Sequence, residues 1–146
     1  MQGLLYLLAF GAGLVLVLQV GMNSTLRAVL DNPLAAAFIS FLVGTLALAL
    51  YMLVTRTPWP ARGQLAAVPA WCWYGGVFGA FYVVTSVIVG PRLGAATLLA
   101  LIVLGQLLTS LLVDHFGWVG FPQHPLTLLR LTGAVLLFAG VLLITR

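Results

Sequence analysis

Charge is almost missing from this sequence. Of 146 residues only 5% are charged: six arginines and two acidic residues, both of them aspartate, with no lysine. A soluble domain carries roughly 25% charged residues, which cover its surface. Since 63% of the residues here are hydrophobic, the chain cannot cover a water-facing surface of its size. The composition therefore predicts a protein that folds in lipid.

Other absences exclude further classes of protein. Cys72 is the only cysteine, so no disulfide can form within the chain. The arginines stand singly, so the net charge of +4 does not build the basic face of a nucleic-acid-binding protein. His115 and His124 lie nine residues apart without a cluster of cysteines or carboxylates, which predicts no metal site and no cofactor. No nucleophile with a base and no phosphate-binding glycine loop is present, and no enzyme activity is expected.

Five apolar stretches are long enough to cross a membrane. A helix needs about 20 apolar residues to cross a hydrocarbon core about 30 Å thick. The predicted spans are about 4–26, 34–54, 71–89, 95–113 and 126–145. The breaks between them fall at Asp31-Asn32-Pro33, from Pro58 to Pro69, at Gly90-Pro91-Arg92, and from Asp114 to Pro125. The third span is the weakest, because three glycines dilute it.

The spans account for most of the chain, and no segment has the composition of a soluble domain. Residues 1–146 are therefore predicted to form one all-α transmembrane domain of five helices. Because five is odd, the two termini are expected on opposite sides of the membrane.

The arginines do not favour either orientation in the membrane. Cytoplasmic loops normally carry the excess of Lys and Arg. Here one face carries Arg56, Arg62 and Arg130, and the other carries Arg27, Arg92 and Arg146. Either loop hydrophobicity or a partner fixes one orientation, or the chain inserts both ways. Arg130 lies about one turn inside the fifth span, where it either snorkels to the interface or faces a wet cavity.

Amide side chains lie deep inside two of the spans. Gln19 and Asn23 are four residues apart on one face of the first helix, with Arg27 four further on. Gln19 and Gln106 each lie within about 6 Å of the middle of their spans. Buried amides without partners cost several kcal/mol in hydrocarbon, so they face protein or water. They either join helices or line a substrate cavity, and both roles could hold at once.

Aromatic and small residues suggest two further surfaces. Phe78 and Tyr82 share a face of the third span and could form a stacking or cation–π wall of the cavity. The aromatic residues nearer the end of that span have the pattern of an interfacial belt. Gly133 and Gly140 are seven residues apart in the last span, where they serve either packing within the bundle or a dimer interface.

Several stretches resemble one known family. They are LQVGMNSTLR, NPLAAAFISFLVG, WYGGVFGAFYV and PRLGAATLLALIVLGQLLTSLLVDHFG, followed by the glycine-spaced last helix. With these motifs in this order, the chain resembles the YdcZ-like families of the drug/metabolite transporter superfamily. The resemblance implies a bacterial inner-membrane protein that acts as a secondary transporter, through alternating access, for a small metabolite or drug-like solute.

The resemblance also implies an antiparallel dimer, either with a second copy or with a paralogue of opposite orientation. Five plus five helices would then reproduce the inverted repeats on which many transporters are built around a midplane site. The even arginine count favours pairing with a second copy, with dual topology. Gln19, Asn23, Gln106, Tyr82 and Phe78 are the predicted substrate-binding residues, and Gly133 and Gly140 the predicted dimer interface.

The sequence leaves alternatives open for the charge of the solute and for the function of the protein. No Asp or Glu lies inside a span, so a buried carboxylate cannot exchange solute for protons. Efflux of neutral, zwitterionic or anionic solutes is favoured over that of simple cations. A non-transporting membrane subunit that packs with a larger partner is the alternative function. A channel is the third, and it would need a continuous polar stripe that only the first span approaches.

Overall fold

The computed structural model describes residues 2–146, and this part of the chain is helical, with no strand. The helices are α1 (Gln2–Leu30), α2 (Pro33–Val54), the short α3 (Arg62–Ala66), α4 (Tyr74–Leu93), α5 (Ala95–Phe116) and α6 (Leu128–Ile144). Short 3-10 turns lie at Ala70–Trp73 and Trp118–Gly120. The all-helical class is confirmed.

Helices occupy the five apolar stretches of the sequence. Four of them, namely α1, α2, α4 with the turn before it, and α5, have the length and apolar composition needed to cross a membrane. The fifth, α6, is apolar but has 17 residues, or about 26 Å at 1.5 Å per residue. Since the hydrocarbon core is about 30 Å thick, a fifth crossing stays a prediction.

The first predicted break, at Asp31-Asn32-Pro33, separates α1 from α2. Asp31 has a left-handed backbone with φ of 49°, which turns the chain out of α1. The side chain of Asn32 accepts hydrogen bonds from the backbone N–H groups of Leu34 at 2.9 Å and Ala35 at 3.1 Å. Pro33 follows at the first helical position, where its fixed φ suits the helix and no N–H is needed. This link therefore ends one helix and caps the next.

The third predicted break, at Gly90-Pro91-Arg92, is wrong. Helix α4 continues through Pro91 to Leu93. Proline normally disfavours helical backbone at the preceding residue by colliding with its Cβ, and Gly90 has no Cβ. The chain turns instead at Gly94, whose φ of +79° is the left-handed conformation that glycine adopts without strain.

The chain divides into two compact units, Met1–Arg92 and Leu93–Arg146. In the first unit α1 packs on α2, and α4 contacts α2 through a small buried core. That core is formed by Ala37, Val83 and Val87, with Tyr82 and Val84 packed against it. In the second unit α5 packs on α6.

Most large apolar side chains outside these cores are exposed. A water-soluble protein rarely exposes large contiguous apolar areas, whereas a lipid-facing helix does so as a rule. The small core and the apolar surface therefore agree with a protein whose solvent is the bilayer.

Candidate solute-binding grooves

A groove of about 520 Å³ runs between α1 and α2 in the first unit. Its walls are mainly apolar, with three polar side chains among them. The lining residues are Val15, Leu18, Gln19, Met22, Asn23, Leu26, Ile39, Ser40 and Val43. This volume lies within the range of about 300–1,000 Å³ that is typical of small-molecule sites.

A second groove, of about 260 Å³, lies beside the first and is lined by three helices. Gln19 comes from α1 and Val83 from α4, while α2 supplies Ser40, Phe41, Gly44, Thr45 and Leu48. Gln19 and Ser40 line both grooves. These two side chains therefore mark the place where the two grooves are closest to each other.

The polar side chains of the grooves differ in whether they already have hydrogen-bond partners. The hydroxyl of Thr45 donates to the carbonyl oxygen of Phe41 at 2.8 Å, within its own helix. Among the hydrogen bonds formed by residues 2–146, none involves the side chain of Gln19, Asn23 or Ser40. Asn23 is nevertheless buried. The grooves thus carry two amides and one hydroxyl whose side chains have no hydrogen-bond partner among the described residues.

The helical periodicity explains why these residues converge. Gln19 and Asn23 are one turn apart on α1, as the sequence predicted, and both line the larger groove. Ser40 faces them from α2 and was missed by the sequence reasoning. It stands inside a largely apolar span, so the reasoning that selected Gln19 and Gln106 could have selected it too.

Arg27 was predicted to share a face with the two amides, but it does not line either groove. The larger groove ends with Leu26 on α1. Two steps of four residues, from Gln19 to Arg27, drift around a helix of 3.6 residues per turn, so the positional match weakens with distance along α1. All polar side chains that line the two grooves are therefore uncharged.

The predicted aromatic wall lies outside the lining of both grooves. Tyr82 is half-buried, and its hydroxyl oxygen is buried without a hydrogen-bond partner among the described residues. Phe78 is 70% exposed, with its ring centroid 6.5 Å from that of Tyr74. It is the neighbouring Val83 that reaches the smaller groove.

The side chain of Phe41 on α2 reaches α4 at one glycine, Gly79. A Cβ added to Gly79 would lie 3.2 Å from Cζ of Phe41, which lines the smaller groove. Even a methyl group at this position would therefore press on the ring. Gly79 thus lets Phe41 keep its place in the wall of the groove.

The other predicted site residues lie in the second unit. Gln106 is exposed on α5 and lines neither of these two grooves. On α6, Gly133 is exposed and Gly140 half-buried, and a Cβ at either would meet no atom within 4 Å. Substrate binding by Gln106, Tyr82 and Phe78 and a dimer interface at the two glycines stay predictions.

The second unit also contains a partly exposed ion pair. The Nη1 atom of Arg130 lies 3.2 Å from Oδ2 of Asp114 and donates to the carbonyl oxygen of His124 at 3.3 Å. The pair borders a groove of about 330 Å³ between α5 and α6, which Ser110 and Gly133 also line. Arg130 is therefore paired with a carboxylate at the end of α5.

The connection between α5 and α6 folds around the same residues. The backbone N–H of His124 donates to the carbonyl oxygen of Asp114 at 2.7 Å. The side chain of Gln123 donates to the carbonyl oxygen of His115 at 2.9 Å, and Nδ1 of His115 accepts from the N–H of Leu126 at 3.2 Å. His115 therefore serves the structure of this connection.

These helices and grooves define a multi-pass integral membrane protein with an uncharged polar groove between its first two helices. Its sequence matches, over residues 4–143, the family described as "Putative inner membrane exporter, YdcZ". It is 32% identical to the inner membrane protein YdcZ of Escherichia coli (strain K12), over 98% of this chain and 94% of that protein. No solved structure matches the chain.

The chain belongs to this YdcZ family, and the resemblance noted from its sequence motifs is confirmed. The family is described as one of inner membrane exporters and is not an enzyme family. Together with the long apolar helices, the match identifies the chain as a multi-pass protein of the inner membrane.

Proposed function

We propose that this protein is a secondary transporter that exports a small metabolite or drug-like solute. The solute passes through the region of the two grooves that Gln19 and Ser40 line, which we call the α1–α2 grooves. The observation that carries the proposal is the set of unpartnered polar side chains, Gln19, Asn23 and Ser40, on the walls of an otherwise apolar groove. Hydrophobic walls with a few polar groups that fix orientation are the usual composition of a small-molecule site.

The cost of these groups in lipid supports the same function. An amide or hydroxyl in hydrocarbon without a partner costs several kcal/mol, so lipid alone is a poor occupant of the groove. A solute or water that supplies donors and acceptors removes this penalty. The family description supports export as the direction.

We further propose that the working unit has five spans per protomer and is an antiparallel dimer. Two features support the dimer. The arginines divide equally between the two faces, which gives the insertion machinery little to distinguish them. In addition, the groove-side amides belong to one short bundle, and an inverted second bundle would enclose them near the midplane, as inverted repeats do in larger transporters.

Within this dimer, a second copy would meet Gly133 and Gly140 on α6. Small residues allow helix backbones to approach closely in lipid, and no side chain or neighbouring helix among residues 2–146 lies within 4 Å of a Cβ built at either glycine.

Transport by the purified protein tests the proposal. We expect liposomes that contain the protein to release a trapped solute mixture faster than protein-free liposomes, and we expect Ser40→Ala to slow this release. Ser24→Ala is the matched control, because Ser24 follows Asn23 on α1 but lines neither groove. Equal release with and without the protein would contradict the proposal and favour a non-transporting membrane subunit.

A further inference from the structure

The two α1–α2 grooves are mainly apolar, and none of the polar side chains on their walls is charged. Their polar side chains are two amides and two hydroxyls, from Gln19, Asn23, Ser40 and Thr45. Arg27, the charged residue nearest to them along α1, is absent from both linings. In the second unit, Asp114 and Arg130 neutralise each other in an ion pair.

A solute with a net charge would find no counter-charge on these walls. Moving an ion out of water into a low-dielectric site costs several kcal/mol unless an opposite charge or several hydrogen bonds compensate it. Ionisable side chains inside membranes accordingly mark many of the paths that ions and charged solutes take. The two amides instead each offer N–H donors and a carbonyl acceptor. They therefore suit the polar groups of an uncharged solute.

The apolar walls restrict the solute further. Opposite and beside the amides lie the side chains of Val15, Leu18, Met22, Leu26, Ile39 and Val43. A solute that fits has an apolar body against these side chains and hydrogen-bonding groups where it meets Gln19, Asn23 and Ser40.

We propose that the exported solute is an uncharged, amphiphilic small molecule whose hydrogen-bond donors and acceptors bind Gln19, Asn23 and Ser40. This inference rests on the proposed transport function and assigns its substrate class. It excludes organic cations and carboxylates as the main solutes.

An unbiased release experiment tests the inference. Liposomes that contain the purified full-length protein are loaded with the small-molecule fraction of a bacterial cell extract, and the solutes that leave are identified by mass spectrometry against protein-free liposomes. We expect the solutes released through the protein to be uncharged at pH 7. We expect Gln19→Met to reduce their release about tenfold or more, and Ser24→Ala to leave it unchanged.

A variant that adds charge at the same place gives the converse test. Gln19→Glu keeps the shape of the side chain and puts a carboxylate into both grooves. We expect it to lose the uncharged solutes and to increase the release of organic cations.

Each outcome has a defined consequence. Release of ions by the unmodified protein, reduced by Gln19→Met, would overturn the substrate class and leave transport standing. Release of uncharged solutes that Gln19→Met does not change would overturn the assignment of the groove as the reader of the solute. If nothing leaves faster than from protein-free liposomes, the transport function itself is wrong, and the inference fails with it.

Discussion

Arg130 and Asp114 join the two long helices of the second unit through an ion pair, with Nη1 and Oδ2 3.2 Å apart. Their side chains are 37% and 26% exposed, so water screens the pair in part. Exposed ion pairs contribute about 0.2–1 kcal/mol. The additional hydrogen bond from Arg130 to the His124 carbonyl ties the connection between the helices to the same guanidinium.

Removing this ion pair should destabilise the protein slightly. We expect Asp114→Asn to lower the melting temperature in mild detergent by about 2–4 °C, the shift that about 1 kcal/mol produces in a protein of similar size. Asp31→Asn is the control, because Asp31 also lies at a helix end and makes no ion pair among the described residues. Equal melting temperatures for the two variants would show that the pair contributes no stability.

The side chain of His115 should stabilise the chain just before α6 by accepting one hydrogen bond. Its Nδ1 accepts from the N–H of Leu126. Hydrogen exchange at that amide should accelerate in His115→Leu and stay slow in His115→Asn, whose side-chain oxygen can occupy the place of Nδ1. If the two variants exchange equally fast, the hydrogen bond does not protect the connection.

The proposed dimer interface on α6 can be tested by adding bulk. We expect Gly133→Leu and Gly140→Leu to block close approach and to shift the protein toward monomer in mild detergent. Gly13→Leu is the control, because a Cβ at Gly13 also meets no atom of this chain but lies on α1. Size-exclusion chromatography with light scattering measures the dimer fraction. An unchanged dimer fraction in both α6 variants would place the interface elsewhere.

Orientation in the membrane should be mixed. With three arginines on each face, reporters fused to the C-terminus should be found on both sides of the membrane. A single added charge, as in Thr57→Lys, should shift the population strongly toward one side. One orientation for the unmodified protein would contradict self-pairing in an antiparallel dimer and favour a paralogue of opposite orientation.

The sequence predicted the helices well because a single physical rule dominates them. In lipid every backbone polar group must be satisfied within the segment, so long apolar runs become helices. The break at Asn32-Pro33 was also predictable, since both residues have strong positional preferences at a helix start. Helix α4 continues through Pro91 because Gly90 has no Cβ for the proline ring to collide with. The prediction treated both residues as helix breakers and did not consider this combination.

The candidate site was predicted only in part, because grooves depend on how helices pack. Gln19 and Asn23 could be identified from their spacing on one helix. Ser40 faces them from α2. The sequence of one helix does not show which residues of another helix pack beside it. The pairing of Asp114 with Arg130 has the same origin, since the two residues are separated along the chain by the α5–α6 connection.

The most direct test of the central claim measures flux, dimer fraction and melting on the same variants. If Gln19 and Asn23 line the solute path, Gln19→Ala and Asn23→Ala should reduce flux about tenfold or more, because about 1.4 kcal/mol of binding free energy is a factor of ten. Melting temperature and dimer fraction should hardly change, since a hydrogen bond between membrane helices averages only about 0.6 kcal/mol. Variants that dissociate or unfold, while any remaining dimer transports normally, would show that these amides join helices and do not bind the solute.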